Sequence, residues 1–170
     1  SCFNRNTNGF IPSLLEMKGI PFVGNDSYTN TISSDKFLLN HIATSIGITV
    51  PKSILITKDL WIQDKSYFFE NVKFPCILKY RYGSMSYHTY KVTSQSTFSK
   101  YVNFMLRQEN GPILCEEYIS GKELSVPVIG NPPSEEILSI VEYTNETGKS
   151  LEIYDFLWKG KLDKYVTLWP

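Results

Sequence analysis

The stretch Leu114-Cys115-Glu116-Glu117-Tyr118-Ile119-Ser120-Gly121-Lys122-Glu123-Leu124 decides how the rest of the chain is read. It begins inside one apolar run, Ile113 to Glu117, and ends inside another, Glu123 to Ile129, so two expected β-strands meet at Ser120-Gly121. Two carboxylates close the first strand, an aromatic and an aliphatic residue form the bend, and a third carboxylate opens the second strand. A purine pocket asks for such a set: an acceptor for an exocyclic amino group, an exposed backbone amide, apolar slabs for the ring and a carboxylate for ribose hydroxyls. A hairpin with solvated glutamates uses the same residues. Both readings stand on this stretch alone.

Working outward, Phe98, Tyr101, Val102, Met105 and Leu106 share one helical face, and Asn110-Gly111-Pro112 stops that helix. Before it come an apolar strand, Cys76 to Tyr80, the polar and aromatic loop Arg81 to His88, and a strand from Thr89 to Thr93. Residues 58–73 are amphipathic and aromatic but irregularly spaced, so a helix is expected there only in outline. An extended stretch runs from Val50-Pro51 to Ile56, since proline pushes its predecessor towards β geometry. Leu38, Leu39, Ile42, Ala43 and Ile46 lay one apolar stripe along a helix from Ser34 to Ile46, with Ser34 or Asp35 as its cap and Gly47 at its end. A short helix is expected between Pro12 and Gly19, then a brief strand at Pro21-Phe22-Val23. Towards the C-terminus, Pro127 marks its strand as an edge or a bulge. A further strand is expected over Ile137 to Tyr143, with a turn at Thr144 to Lys149 leading into a hairpin partner at Ser150 to Ile153.

Composition narrows the classes. The chain has 170 residues, 42% of them apolar and 20% charged, in the range of a soluble globular protein. Lys+Arg and Asp+Glu both number 17, so no general electrostatic pull towards nucleic acid or an anionic membrane is expected. Three cysteines, Cys2, Cys76 and Cys115, have no metal-ligand spacing and read as reduced thiols of a cytoplasmic protein. His41 and His88 are too far apart in sequence to form a ligand motif. No apolar stretch has the length of a membrane span. Lysines stand at the ends of two regular elements: Lys36 after Asp35, and Lys79 after Pro75-Cys76-Ile77-Leu78.

Taken together, several segments resemble the D-alanine–D-alanine ligase branch of the ATP-grasp family in order and separation. They are Asp35-Lys36, Phe74 to Lys79, Glu116 to Val126 and Tyr154-Asp155-Phe156-Leu157-Trp158-Lys159, and Leu15 to Gly24 is similar to the end of that family's first domain. The resemblance implies an α+β ATP-grasp fold of antiparallel sheets with packed helices and an incomplete C-terminal subdomain. It implies residues 1–33 as the tail of a substrate-binding α/β domain, 34–120 as the central ATP-grasp lid subdomain and 121–170 as the start of the C-terminal one.

It further implies roles for single residues. Lys36 and Lys79 would contact the phosphates of ATP, and Glu116, with Glu117 beside it, would serve the adenine amino group. The Ile119 amide would donate to the ring, Tyr118 would wall it, and Glu123 would hold the ribose. Lys159 would reach the transferred phosphoryl group, and Ser84, after Gly83, would belong to the loop closing over it. The implied activity joins two amino acids through an acylphosphate, as in peptidoglycan biosynthesis, with small-molecule amino-acid substrates and a homodimer as the assembly the resemblance admits. No Glu-x-Asn motif occurs in the chain, so the magnesium ligands are expected outside it, and the 170 residues alone should lack a complete metal site.

Three stretches depart from the family pattern. The loop reads Gly83-Ser84-Met85-Ser86-Tyr87-His88 where the family has Gly-Ser-Ser and then a second glycine. Gly160 replaces the tyrosine after the phosphate-facing lysine, and Cys2 to Gly9 lacks the residues tied to the first D-alanine. These departures keep a second reading open, a nucleotide-binding or interaction module without catalysis.

Overall fold

Strand β2, Cys76–Tyr80, alternates buried and half-buried residues along its length, and that alternation organises the first of two compact units, residues 1–118. The structure is a computed structural model in which residues 8–84, 86–108, 111–144, 149 and 166–168 are described. Around β2 lie β1 (Ser53–Ile56), β3 (Tyr90–Val92) and β4 (Ile113–Glu117), in the order β1-β4-β2-β3 and antiparallel throughout. Leu78 stands opposite Cys115 and Lys79 opposite Leu114, so the register sends alternate residues to opposite faces.

One face holds the core. Ile56, Cys76, Leu78, Tyr80, Val92, Ile113 and Cys115 pack against α4 (Lys58–Gln63), α5 (Lys65–Asn71) and α6 (Gln95–Arg107). Those helices contribute Trp61, Phe68, Phe98, Val102 and Met105. The Trp61 ring lies 5.6 Å from Phe68 and 5.9 Å from Phe98, both tilted or edge-on, as aromatic quadrupoles favour. Both buried polar tips are satisfied: Trp61 Nε1 donates to Asn103 at 2.9 Å and Tyr80 Oη to the Met105 carbonyl at 2.8 Å.

Residues 58–73 are irregular in sequence because they form two helices, not one. Asp64 ends α4 and caps α5, accepting from the Tyr67 amide at 3.0 Å, and the apolar phase restarts there. The second expected helix begins later than Ser34: α3 spans Lys36–Ser45, and Asp35 is its cap, accepting from the Leu38 amide at 3.1 Å. Gly47, at φ +85°, follows its end.

Near the N-terminus one expectation fails and one helix was not anticipated. Pro21-Phe22-Val23 is irregular, with Val23 fully exposed, and no strand among the described residues pairs with it. The Ser- and Thr-rich stretch after it folds as α2, Ser27–Ser34, following α1, Phe10–Met17. Such a sequence has weak helix propensity, and α2 buries no residue. Its first turn is held from outside: Asp26 accepts from the Thr29 amide at 2.6 Å, and Glu16 of α1 accepts from the Ser27 amide and hydroxyl at 2.8 and 2.6 Å.

The second unit, residues 119–170, contains β5 (Leu124–Ser125), β6 (Val128–Ile129), β7 (Glu136–Ile137), β8 (Val141–Tyr143) and β9 (Val166–Leu168). β5, β8 and β9 form an antiparallel sheet, while β6 and β7 pair as a separate hairpin. The two long strands expected here are therefore each divided. Val126-Pro127 splits the first: proline has no amide to give a ladder, and its carbonyl instead accepts from the Leu138 amide at 2.9 Å. The expected hairpin partner at 150–153 lies outside the described residues. Among the described residues no helix is long and apolar enough to cross a membrane.

Candidate functional site

The face of the first unit's sheet opposite the core carries charge. Strand alternation and register put Ile77, Lys79, Lys91, Leu114 and Glu116 together there. Glu116 is only 6% exposed, a burial that a carboxylate tolerates when it is paired. Lys79 Nζ lies 2.5 Å from Glu116 Oε2, and Asn40 Nδ2 of α3 donates to Oε1 at 3.0 Å. Lys79 keeps about a quarter of its side chain exposed, so the buried carboxylate holds the ammonium at the surface of the sheet.

The same architecture brings Lys36 to the loop that follows β2. Asp35 grips Arg81 with both oxygens, Nε to Oδ1 at 2.8 Å and Nη2 to Oδ2 at 2.7 Å. The Lys36 amide donates to the Arg81 carbonyl at 3.2 Å, and the Lys36 ammonium donates to the Gly83 carbonyl. Burial pushes the Asp35 carboxyl up, but the bonds from Arg81 and from the Leu38 amide outweigh it and hold the group below the usual aspartate range. Its bond to Asp35 raises Arg81 in turn.

Further along the loop, Ser86 and His88 both have φ of 54°, a region that suits glycine. His88 is held there by rings: Tyr87 at 3.9 Å, Phe104 at 5.6 Å and Tyr80 at 5.8 Å, with its Nδ1 2.7 Å from the Tyr90 hydroxyl. Burial lowers its pKa, so the ring stays neutral near pH 7. The bulky loop thus has its own anchor in His88.

The other expected site residues are placed as follows. Tyr118 is half-buried, its amide donating to the Pro75 carbonyl at 3.2 Å, and Lys91 Nζ sits 3.9 Å from its ring centroid. Glu117 points to the other side of the sheet, accepting from the Lys52 amide at 3.0 Å, and so fixes the entry to β1. Ser84 is exposed in the loop. In the second unit, Ile119 and Glu123 are exposed, and the Glu123 carbonyl accepts from the Tyr143 amide at 3.1 Å. Lys159 lies outside the described residues. Sequence reading missed Arg81, Asn40 and Lys91; pairing the expected strands in register would have put Lys91 opposite Ile77 and beside Lys79.

Among the described residues no group of three His, Cys, Asp or Glu could hold a metal ion. Cys76 and Cys115 are buried and free; the hydrogen bond between the thiols and burial push Cys115 up, so it behaves as a small core residue. A cavity of about 510 Å³ between α3 and the α4–α5 pair, walled by Phe37, Leu55, Leu60 and Tyr67, includes none of the expected site residues.

This arrangement has close structural counterparts. The D-Ala:D-Ser ligase VanG of Enterococcus faecalis superposes with a TM-score of 0.73 at 21% identity, over 83% of this chain and 40% of that one. The D-alanine–D-alanine ligase of Bacillus anthracis complexed with ATP gives 0.68 at 22% identity, over 81% and 44%. The fold is therefore ATP-grasp. In sequence, the D-alanine–D-alanine ligase of Geobacillus kaustophilus is 28% identical over 153 residues, 88% of this chain and 40% of that protein. The family described as D-ala D-ala ligase C-terminus matches residues 42–167, most of the chain, and the chain belongs to that family. It spans well under half the length of these relatives.

Proposed function

We propose that the protein is an ATP-dependent carboxylate–amine ligase joining two amino acids, with D-alanine as the family's usual substrate. One observation carries the reading: Lys79 is fixed by the buried Glu116 on the face of the sheet that the helical core leaves free, and Lys36 is fixed against the Gly83 carbonyl of the loop beside that strand. Ammonium groups held this way suit a triphosphate, because they are in place before charge shifts in the transition state.

In the proposed reaction a carboxylate oxygen of the first amino acid attacks the γ-phosphorus of ATP, and ADP leaves with the electron pair of the broken P–O bond. The amine of the second amino acid then attacks the acyl carbon, phosphate departs, and the amine gives up a proton as the amide forms. Lys36 and Lys79 bind the phosphates. Glu116 keeps Lys79 oriented, and Tyr118 offers its ring to the adenine. Ile119 and Glu123 serve the ring and the ribose, Ser84 belongs to the closing loop, and Lys159 reaches the transferred group. Magnesium would neutralise phosphate charge. The described residues offer no cluster to hold it.

The positive φ at Ser86 and His88 favours a second reading, a nucleotide-binding module without turnover, because a bulky loop approaches phosphate less closely than glycine does. Phosphate release by the full-length protein, with ATP, magnesium and a panel of D- and L-amino acids, separates the two. Amino-acid-dependent release that Lys79→Ala abolishes supports the ligase. Nucleotide binding with no release across the panel supports the module.

A further inference from the structure

We infer that Asp35 and Arg81 form a clamp that positions Lys36 and the loop after β2 as one phosphate-binding unit. The inference rests on the nucleotide reading above and adds two positioning residues to it.

The geometry is specific. Asp35 does two jobs with one carboxylate: Oδ1 caps α3 through the Leu38 amide, and both oxygens take the Arg81 fork. A bidentate guanidinium–carboxylate pair fixes orientation as well as distance, which a single-point contact does not. The pair is shielded, with side-chain exposures of 24% for Arg81 and 6% for Asp35, so solvent screens it less than a surface ion pair. Two hydrogen bonds reinforce it from the next residue, the Lys36 amide to the Arg81 carbonyl and the Lys36 ammonium to the Gly83 carbonyl. Arg81 is tied to the sheet as well, its amide donating to the Pro112 carbonyl at 3.0 Å. The Arg81 guanidinium also lies 5.4 Å from the Phe37 ring centroid and 5.1 Å from that of Tyr82, so cation–π contacts with two rings limit its rotation.

Neither residue has to touch the nucleotide. The clamp sets the distance between the first turn of α3, which carries Lys36, and the loop at Gly83. Loosening it should therefore weaken the hold on phosphates and leave the adenosine end unaffected. A residue needed only for folding would not discriminate in that way.

Two variants isolate the effect. Asp35→Asn keeps a helix cap, since asparagine caps about as well as aspartate, but loses the charged fork. Arg81→Lys keeps the charge and loses bidentate geometry. The experiment titrates the full-length protein with AMP, ADP and ATP in magnesium by calorimetry, with melting temperature followed in parallel. Both variants should bind AMP within about twofold of wild type and ATP about tenfold more weakly, the scale of one charge-assisted hydrogen-bonded pair, with ADP between them. Equal affinity of wild type and variants for all three nucleotides overturns the clamp, as does a uniform loss for all three. If Asp35→Asn does not fold, Arg81→Lys alone decides by the same pattern. A wild-type protein that binds none of the three overturns the nucleotide reading itself, an outcome distinct from failure of the clamp.

Discussion

The two faces of the four-stranded sheet use the same strands for opposite purposes. On β2, Cys76, Leu78 and Tyr80 enter the aromatic core while Lys79 stands on the other side against Glu116. On β4, Ile113 and Cys115 face the core, and Leu114 and Glu116 face away. The core and the proposed binding face are thus interleaved residue by residue, and the period of two keeps them separable. A substitution on the core face should change stability alone, while its neighbour in sequence should change phosphate release.

The largest expected effect is on the core face. Phe98 is fully buried against Trp61, Phe69 and Phe74, and Phe98→Ala should destabilise the first unit by about 3–5 kcal/mol. Chemical denaturation measures it, and any protein that remains folded should bind nucleotide with unchanged affinity. On the other face, Lys79→Ala should reduce amino-acid-dependent phosphate release by about 100-fold, the scale of losing one oriented donor in a transition state. A sharper variant of the same test is Lys79→Met. It leaves the buried Glu116 carboxylate with Asn40 but without its cation, destabilising by roughly 2–3 kcal/mol. Adding Glu116→Gln should recover much of that stability and none of the phosphate release. Recovery of both would mean that phosphate release does not need the Lys79 ammonium.

Smaller effects follow from titration. The Asp35 carboxyl is depressed in the folded protein, so its contribution is complete above the unfolded aspartate range and fades as pH falls below about 3.9 towards the folded value. Acid denaturation of Asp35→Asn should be less steep there than that of wild type. The smallest effect concerns His88. Its folded pKa is lowered by burial, so the unfolded or loosened state takes up the proton first, and stability falls as pH drops through about 6.5. Hydrogen exchange of the loop amides should quicken modestly over that range, and His88→Phe should remove the pH dependence.

Strand pattern made much of the first unit legible. The strand Cys76 to Tyr80 and the helix carrying Phe98, Val102 and Met105 follow from periodicity, because both elements bury one regular face. Helix α2 did not follow, since it buries nothing and depends on caps supplied by Asp26 and Glu16. The strand breaks at Pro127 were signalled only as an edge or bulge. Of the proposed site, the separated lysines and Glu116 were read from motif order. Arg81, Asn40 and Lys91 act through partners distant in sequence, Asp35, Glu116 and Tyr118, and such pairs become visible only once the register is known. Glu117, adjacent to Glu116, shows the converse: one step along a strand turns a carboxylate to the other face.

Lysine footprinting with an amine-reactive reagent and mass spectrometry, on the full-length protein with and without a non-hydrolysable ATP analogue and magnesium, tests the central claim most directly. Lys36 and Lys79 should be protected by the nucleotide, while Lys58, Lys65 and Lys100, on the core-side helices, should label as before. Unchanged labelling of Lys36 and Lys79 at saturating nucleotide, or protection confined to the helical side, would contradict it.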